Sequence, residues 1–444
     1  MKMILRKLLL ATCCAGAIAS VAAAAPGGDL NLRGDILAEP TPVSTGAAPA
    51  AAVVATPALS PAISVNSTAG ELSRLPYWNW FRFSPSVLST WKIEADASDV
   101  NIVRAKPIRL GLATPSRKVL VAYPRASSAY DTSITKIFNV FEDKLLDAEV
   151  TIVNFKLDDA KGKELLKTAE GEGYDLILSM GSEATAWLWN NYKNGKLPVV
   201  SVCSKDPVVL GQSPGYDLGS GTNFAFTSLN MPMDVQMAYV NDLKPKLRNL
   251  AILVDSKNLS AVETQAKPVI EYAKKRGIRV MELAVNDPAN AQAELTKLVS
   301  AAAAQMQRND PDLKNSLFWL TGSTSVFKEI DTINRHAGRI PVVAVVPEIV
   351  REGDNTASVS IGISFESNAH LAAIYSVDIL NGRAKAGQLR VGVVSPPDIA
   401  LSFRKIRDIG MTVPLSMFEA AGTIYDYEGK AVRIDGANVS KKNN

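Results

Sequence analysis

Residues 174–185 read Tyr174-Asp175-Leu176-Ile177-Leu178-Ser179-Met180-Gly181-Ser182-Glu183-Ala184-Thr185. An apolar run stops at a glycine and gives way to the small hydroxylic and acidic residues that favour a helix start. A strand apolar on both faces belongs in a sheet covered from both sides. The same layout recurs around it, in Val119-Leu120-Val121-Ala122-Tyr123, Val150-Thr151-Ile152-Val153 and Val199-Val200-Ser201-Val202. Between these runs Ile134, Ile137, Phe138 and Phe141 fall at helical spacing, as do Leu165, Leu166 and Ala169. Strands alternating with helix-length stretches predict a parallel sheet, wound on both sides by right-handed crossovers.

A second series follows. Leu250–Val254, Ile278–Met281, Leu317–Leu320, Val342–Val345 and Val359–Ile361 read as strands, with helices over 260–276, 290–308 and near 324–336. Gly277 is a helix stop between two of them. The chain therefore divides into a first α/β lobe over 116–228 and a second over 229–363. A closing segment over 364–435 carries a helix near 366–381, and part of it returns to the first lobe. Within that segment Arg390–Val394 is strand-like, and Ile424–Lys430 reads as a hairpin with a Glu-Gly turn. Residues 436–444 form a polar, frayed tail. The predicted fold class is α/β, two doubly wound parallel-sheet lobes joined by a hinge.

The 444 residues include 48 Lys plus Arg, 44 Asp plus Glu, two His and three Cys. Residues 1–25 combine Lys2, Arg6 and Lys7, an apolar run from Leu8 and the small residues Ala22-Ala23-Ala24, the layout of a cleavable secretory signal peptide. Leu10-Ala11-Thr12-Cys13 only faintly matches a lipoprotein box. Losing the three basic residues leaves 45 against 44, a net charge of +1 that disfavours general binding to nucleic acid or anionic membranes. Cys203 alone lies outside the signal, so no internal disulfide forms, and His336 and His370 with one Cys cannot build a zinc cluster.

Residues 26–70 are rich in Ala, Pro, Ser and Thr and read as a disordered linker. Residues 71–115 form an aromatic N-terminal extension, with Tyr77, Trp78, Trp80, Phe81, Phe83 and Trp91 crowded together. Such a cluster is buried either against this chain or against a partner, and burial preference favours this chain.

Motifs for chemistry are mostly missing. Phosphate-binding, dinucleotide-binding, serine-hydrolase and zinc-protease patterns are absent. Two Ser-x-x-Lys runs, from Ser325 and from Ser402, lack companion motifs and read as helix starts. Asp158-Asp159 and Asp310-Pro311-Asp312 sit where capping explains them. The polar residues gather instead where strands end: Gly181–Thr185, Cys203–Pro207, Asp255–Ser260 and Thr321–Ser325. In open α/β sheets ligands bind at that edge, and helix starts there favour anionic groups. For any one loop capping is the better account, whereas four such loops in two lobes favour a shared crevice.

The order of segments over 118–415 resembles the substrate-binding proteins of ABC transporters, of the type I periplasmic-binding-protein fold and similar to tryptophan/tyrosine-binding components. Tyr174–Leu178 with Gly181–Thr185 looks like that family's third strand and binding loop, and Leu197–Val202 with Asp206-Pro207-Val208 is similar to its "P-V-V…D-P-V" signature. Ser220–Phe224, Leu247–Leu253, Ile340–Val343 with Val350–Gly353, and Ala372–Gly382 continue the likeness. Two loops depart from it. Tyr123–Ser128 lacks the His-Pro often found there, and Thr321-Gly322-Ser323 lacks an Asp suited to a ligand amine.

The resemblance implies an exported, periplasmic solute-binding protein that takes a small polar or anionic ligand between its lobes. It would hand that ligand to the membrane permease of an ABC uptake system. The missing motifs, the His and Cys count and the near-neutral charge predict no catalysis, cofactor, metal or nucleic acid, and lobes that each complete a core predict a monomer. The alternative is a non-transport binding or envelope-signalling module that docks a partner through 71–115. Expected ligand contacts are Ser127, Ser128, Tyr130, Ser182, Glu183, Thr185 and Asp206 from the first lobe. Asn223 is expected near the hinge, and Asp255, Asn258, Thr321 and Ser323 in the second lobe. Glu183 and Asp206 either face a cationic ligand or cap their helices.

Overall fold

The structure is a computed structural model and describes residues 69–111 and 113–439. The signal-peptide pattern, most of the linker and the last residues of the polar tail lie outside the described residues.

The first lobe is built on strands β1 (Trp91–Ala95), β2 (Ile102–Pro107), β3 (Arg117–Tyr123), β4 (Ala148–Asn154), β5 (Leu176–Met180), β6 (Val199–Val202) and β7 (Phe224–Ala225), in the order β1-β2-β4-β3-β5-β6-β7. From β4 to β7 all pairs are parallel, with Val121 set between Ile152 and Leu178. Every residue of β5 and β6 is buried, as an unbroken apolar run requires when helices cover both faces. On one face the helix Ser128–Asp143 turns Ile134, Ile137, Phe138 and Phe141 inward. It packs against the helix Phe365–Leu380, whose small Ala369, Ala372 and Ala373 permit close approach.

The aromatic extension is part of this lobe. Its β1–β2 hairpin adds antiparallel strands to the sheet edge at β4. Trp80 and Phe81 meet Tyr123 edge-on, each with centroids 5.9 Å away. Trp91, 1% exposed, lies 4.8 Å from the Phe138 ring and donates from Nε1 to the Phe138 carbonyl at 3.1 Å. The side chains that a docking arm would offer to a partner are thus consumed in the lobe's own core.

The second lobe is built on β9 (Asn249–Asp255), β10 (Arg279–Val285), β11 (Ser316–Leu320), β12 (Val342–Ala344), β13 (Val359–Gly362), β15 (Asp398–Ser402), β16 (Thr423–Tyr425), β17 (Ala431–Ile434) and β18 (Ala437–Asn438). The order is β10-β9-β11-β12-β13-β15-β16-β17-β18, parallel from β10 to β13. Its long helix Ala291–Asn309 buries Leu295, Val299, Ala302 and Met306, a helical stripe facing the sheet. The closing segment divides. Its helix joins the first lobe, whereas residues 398–438 extend the second sheet through an antiparallel β15. Among the described residues no helix is long and apolar enough to cross a membrane.

The lobes are joined where the chain leaves β7, where β13 passes into Ser364, and where the chain enters β15. The first and last of these crossings are tied together by β8 (Thr227–Ser228) and β14 (Gly392–Val393), which pair in parallel. Thr227 is hooked to the end of β6 by bonds exchanged with Ser201, including Thr227 Oγ1 to the Ser201 carbonyl at 2.7 Å. At the middle crossing two carboxylates of the second lobe accept backbone N–H groups: Asp398 from Ser364 at 2.8 Å and Glu348 from Phe365 at 2.6 Å. They satisfy donors that a helix start leaves open.

Trp91→Ala is expected to cost about 3–5 kcal/mol in urea unfolding; a loss below about 1 kcal/mol would place the hairpin outside the cooperative fold. Glu348 Oε2 is sealed from solvent with no hydrogen-bond partner among the described residues, and burial, helped by Asp398 and Glu366, raises its pKa to about 7. The folded state then holds a proton that the unfolded chain releases at 4.5, so this group's contribution falls as pH rises from 4.5 through 7. Glu348→Gln should therefore gain stability over the parent between pH 5 and pH 8; a difference constant with pH would contradict the shift.

Candidate functional site

A parallel strand delivers its following loop at the carboxyl edge, and in both lobes that edge borders one crevice. The crevice encloses a cavity of about 70 Å³ with walls from both lobes. The loop after β3 contributes Arg125, Ser127 and Tyr130, the loop after β5 Ser182 and Glu183, and the loop after β6 Cys203 and Lys205. The second lobe contributes Asn258, Ser260 and Gln265 after β9, then Gly322, Thr324 and Phe327 after β11. Val345, Val346, Ile363, Phe365 and Leu229, near the crossings, form an apolar wall.

The first-lobe loops are braced against one another. Arg125 Nε pairs with Glu183 Oε2 at 2.8 Å, and Ser182 Oγ accepts from the Lys205 N–H at 2.9 Å. Gly181 begins its helix at φ +80, and a Cβ there would strike the Tyr130 ring, so only glycine lets the tyrosine close over this turn. Cys203 holds a left-handed φ of 53, unusual for a side-chain-bearing residue and a mark of stored strain. Its N–H donates to Asn368 Oδ1 at 2.8 Å, linking the β6 loop to the middle-crossing helix. Burial pushes the Cys203 thiol up to about 12, which makes it inert as a nucleophile at neutral pH.

Two residues past that strained turn lies Lys205, 9% exposed. Its ammonium makes no ion pair or hydrogen bond among the described residues. Burial lowers its pKa to about 8, partly offset by the charge of Glu183 and reinforced by Arg125. Opposite it, a π-helical turn over Val262–Ala266 presents Gln265, 5% exposed. Its Oε1 accepts from the Gly322 N–H at 2.7 Å, which leaves Nε2 as an uncommitted donor among the described residues.

Of the residues expected from the sequence, the structure brings Ser127, Tyr130, Ser182, Glu183 and Asn258 to the cavity. The others are placed elsewhere. Ser128 is exposed on the first turn of its helix. Thr185 spends its hydroxyl on Ser179 and the Gly181 carbonyl, both at 2.8 Å. Asp206 accepts from the Val208 and Val209 N–H groups and from the Tyr216 hydroxyl, the capping alternative. Glu183, by contrast, caps nothing among the described residues and faces Arg125. Asn223 lies at the opposite sheet edge, before β7, where it ties down Asn194 and Leu197 rather than the hinge. Asp255 accepts from Lys257 N–H at 2.9 Å and Ser325 Oγ at 2.6 Å. Thr321 and Ser323 are fully buried and bond each other at 3.1 Å, Thr321 also donating to the Leu253 carbonyl at 2.9 Å. Arg125, Lys205, Gln265, Phe327 and Phe365 line the cavity without being expected from the sequence. Their one signal there is a pair of cations inside loops that lie at the ligand edge.

Solved structures share this architecture. One is described as a conserved domain protein from Vibrio cholerae O1 biovar El Tor, with 17% identity, TM-score 0.53, and coverage of 70% of this chain and 99% of that one. The ABC domain in complex with L-Trp from Streptococcus pneumoniae follows at 18% identity and TM-score 0.52, covering 69% and 100%. CD0873 from Clostridium difficile, in a ligand-free, open structure and described as a substrate binding protein with adhesive properties, stands at 19% and 0.52, covering 69% and 98%. At such identities the likeness speaks for the fold. No curated protein matches the chain. The family described as ABC transporter substrate binding protein matches residues 131–424, from the first-lobe helix to the late strand β16, and the chain belongs to that family.

Proposed function

We propose that this protein is the exported, periplasmic solute-binding component of an ABC uptake system, and that it holds a small polar or anionic molecule in the cleft between its lobes. The observation that carries the reading is a cavity at the carboxyl edges of two sheets, with donors from both lobes and backbone crossings that allow one lobe to move on the other. A guest touching both walls binds the closed form better than the open one and so shifts the equilibrium toward it. The membrane permease recognises that closed form. Residues 1–25 carry the export pattern. Each lobe completes its own core, which favours a monomer.

Binding rather than turnover fits the chemistry present. The Cys203 thiol is protonated at neutral pH, and the hydroxyls of Thr185, Thr321 and Ser323 are committed to internal bonds. The L-Trp complex concerns the Streptococcus pneumoniae protein. Here the loop Thr321-Gly322-Ser323 offers no carboxylate for a ligand amine.

Gentle purification from the periplasm, with mass spectrometry of co-purifying small molecules, is expected to yield a solute at one per chain. Re-added to stripped protein at a hundred times its Kd, it should stabilise by about 2.7 kcal/mol. Ser127→Ala and Gln265→Ala, one on each wall, should each weaken it by about tenfold. Loss confined to one lobe's variant would contradict a shared site.

A further inference from the structure

Resting on the reading of the cleft as a solute site, we propose that the solute is a small monocarboxylate without a cationic group, its carboxylate seated between the Lys205 ammonium and the Gln265 amide. The ionic inventory of the cavity walls is short: Arg125, Lys205 and Glu183. Arg125 and Glu183 satisfy each other at 2.8 Å at the cleft mouth, where both side chains are about half exposed. Of the three, Lys205 is nine-tenths buried and unpaired among the described residues. An isolated buried ammonium is unfavourable unless an anion joins it, so its presence is explained by a guest that brings the missing charge.

The remaining donors agree. Gln265 lines the cavity from the second lobe and Lys205 from the first, and with Oε1 taken by the Gly322 N–H the Gln265 Nε2 group is the donor left for a guest, so one carboxylate can bridge both walls. An α-amino acid would also bring an ammonium. Glu183, the one wall carboxylate among the described residues, is already held by Arg125, and the added positive charge would sit against Lys205. Phe327 and Phe365 face an organic body rather than the full hydration shell of an inorganic anion. A cavity of about 70 Å³ admits on the order of five water-sized groups, the size of a carboxylate with a short carbon chain.

The charge is tunable. Around Lys205 the ionisable groups are Glu183, Arg125 and Cys203, with Tyr130 beside them; burial keeps the thiol and the phenol neutral through pH 9, and Glu183 is engaged by Arg125 at 2.8 Å. Lys205 is therefore the group that titrates near 8. Carboxylate affinity should fall about tenfold per pH unit above that point.

The test uses the mature protein, with thermal shift and calorimetry on pyruvate, lactate and butyrate against alanine, lactamide and butylamine, with inorganic phosphate and sulfate as separate arms. The expected result is a saturable shift with at least one of the three carboxylates and none with the matched zwitterion, amide or amine. Affinity should weaken by about tenfold between pH 8.5 and 9.5. Lys205→Met should bind about 100-fold more weakly while melting above the ligand-free parent, a folded control that a merely structural lysine would not supply. Binding of alanine, lactamide or butylamine, or of phosphate or sulfate alone, overturns the monocarboxylate assignment but keeps the cleft as a solute site. Carboxylate binding that survives Lys205→Met overturns the seat. Failure of every probe and of the co-purified solute overturns the reading beneath.

Discussion

The parallel pairing of the central strands decides where the loops can go. In a parallel sheet all following loops emerge on one side, so Tyr123, Met180 and Val202 end their strands together, as Asp255, Leu320 and Ala344 do in the other lobe. Neither set of loops could form a binding wall if one core strand reversed. The antiparallel additions, β1 and β2 in one lobe and β15 with its neighbours in the other, lie outside these central strands and leave the two rims intact.

The rims are held firmly where they meet the crossings. Asn368 Oδ1 accepts from Cys203 N–H at 2.8 Å and lies 3.2 Å from Thr227 Oγ1, so one side chain joins the β6 loop, the first crossing and the helix after the middle crossing. Glu348 and Asp398 fix the start of that helix from the second lobe. Strain at Cys203 and an ammonium at Lys205 that is unpaired among the described residues lie beside these contacts. Local features that lower the stability of the empty protein are the ones a bound guest can relieve.

The parallel cores are legible in the sequence because runs such as Leu176–Met180 are apolar without alternation, which a strand open to water on one face would not be. The extension over 71–115 shows there only as aromatics crowded over 77–91, which give no sign of the hairpin over 91–107, since two short strands on a sheet edge leave no long-range pattern. The site is half legible. Position in the chain identifies the loops, but a hydroxyl at a strand end reads the same whether it faces a guest or its own backbone. Thr185, Thr321 and Ser323 therefore read as contacts although each is spent internally. Asn223 precedes its strand rather than following it, and so lies at the opposite edge from the cleft. Lys205 and Gln265 are hidden for another reason. Long polar side chains default to solvent, and neither a left-handed turn at a cysteine nor a π-helical turn has a sequence signature.

The central claim is that a guest held by both walls draws the lobes together. Small-angle X-ray scattering of the mature protein, with and without saturating solute, tests it most directly. The account predicts a smaller radius of gyration on binding, lost in Gln265→Ala at a solute concentration that still saturates the parent. Calorimetrically proven binding with an unchanged scattering profile would contradict it.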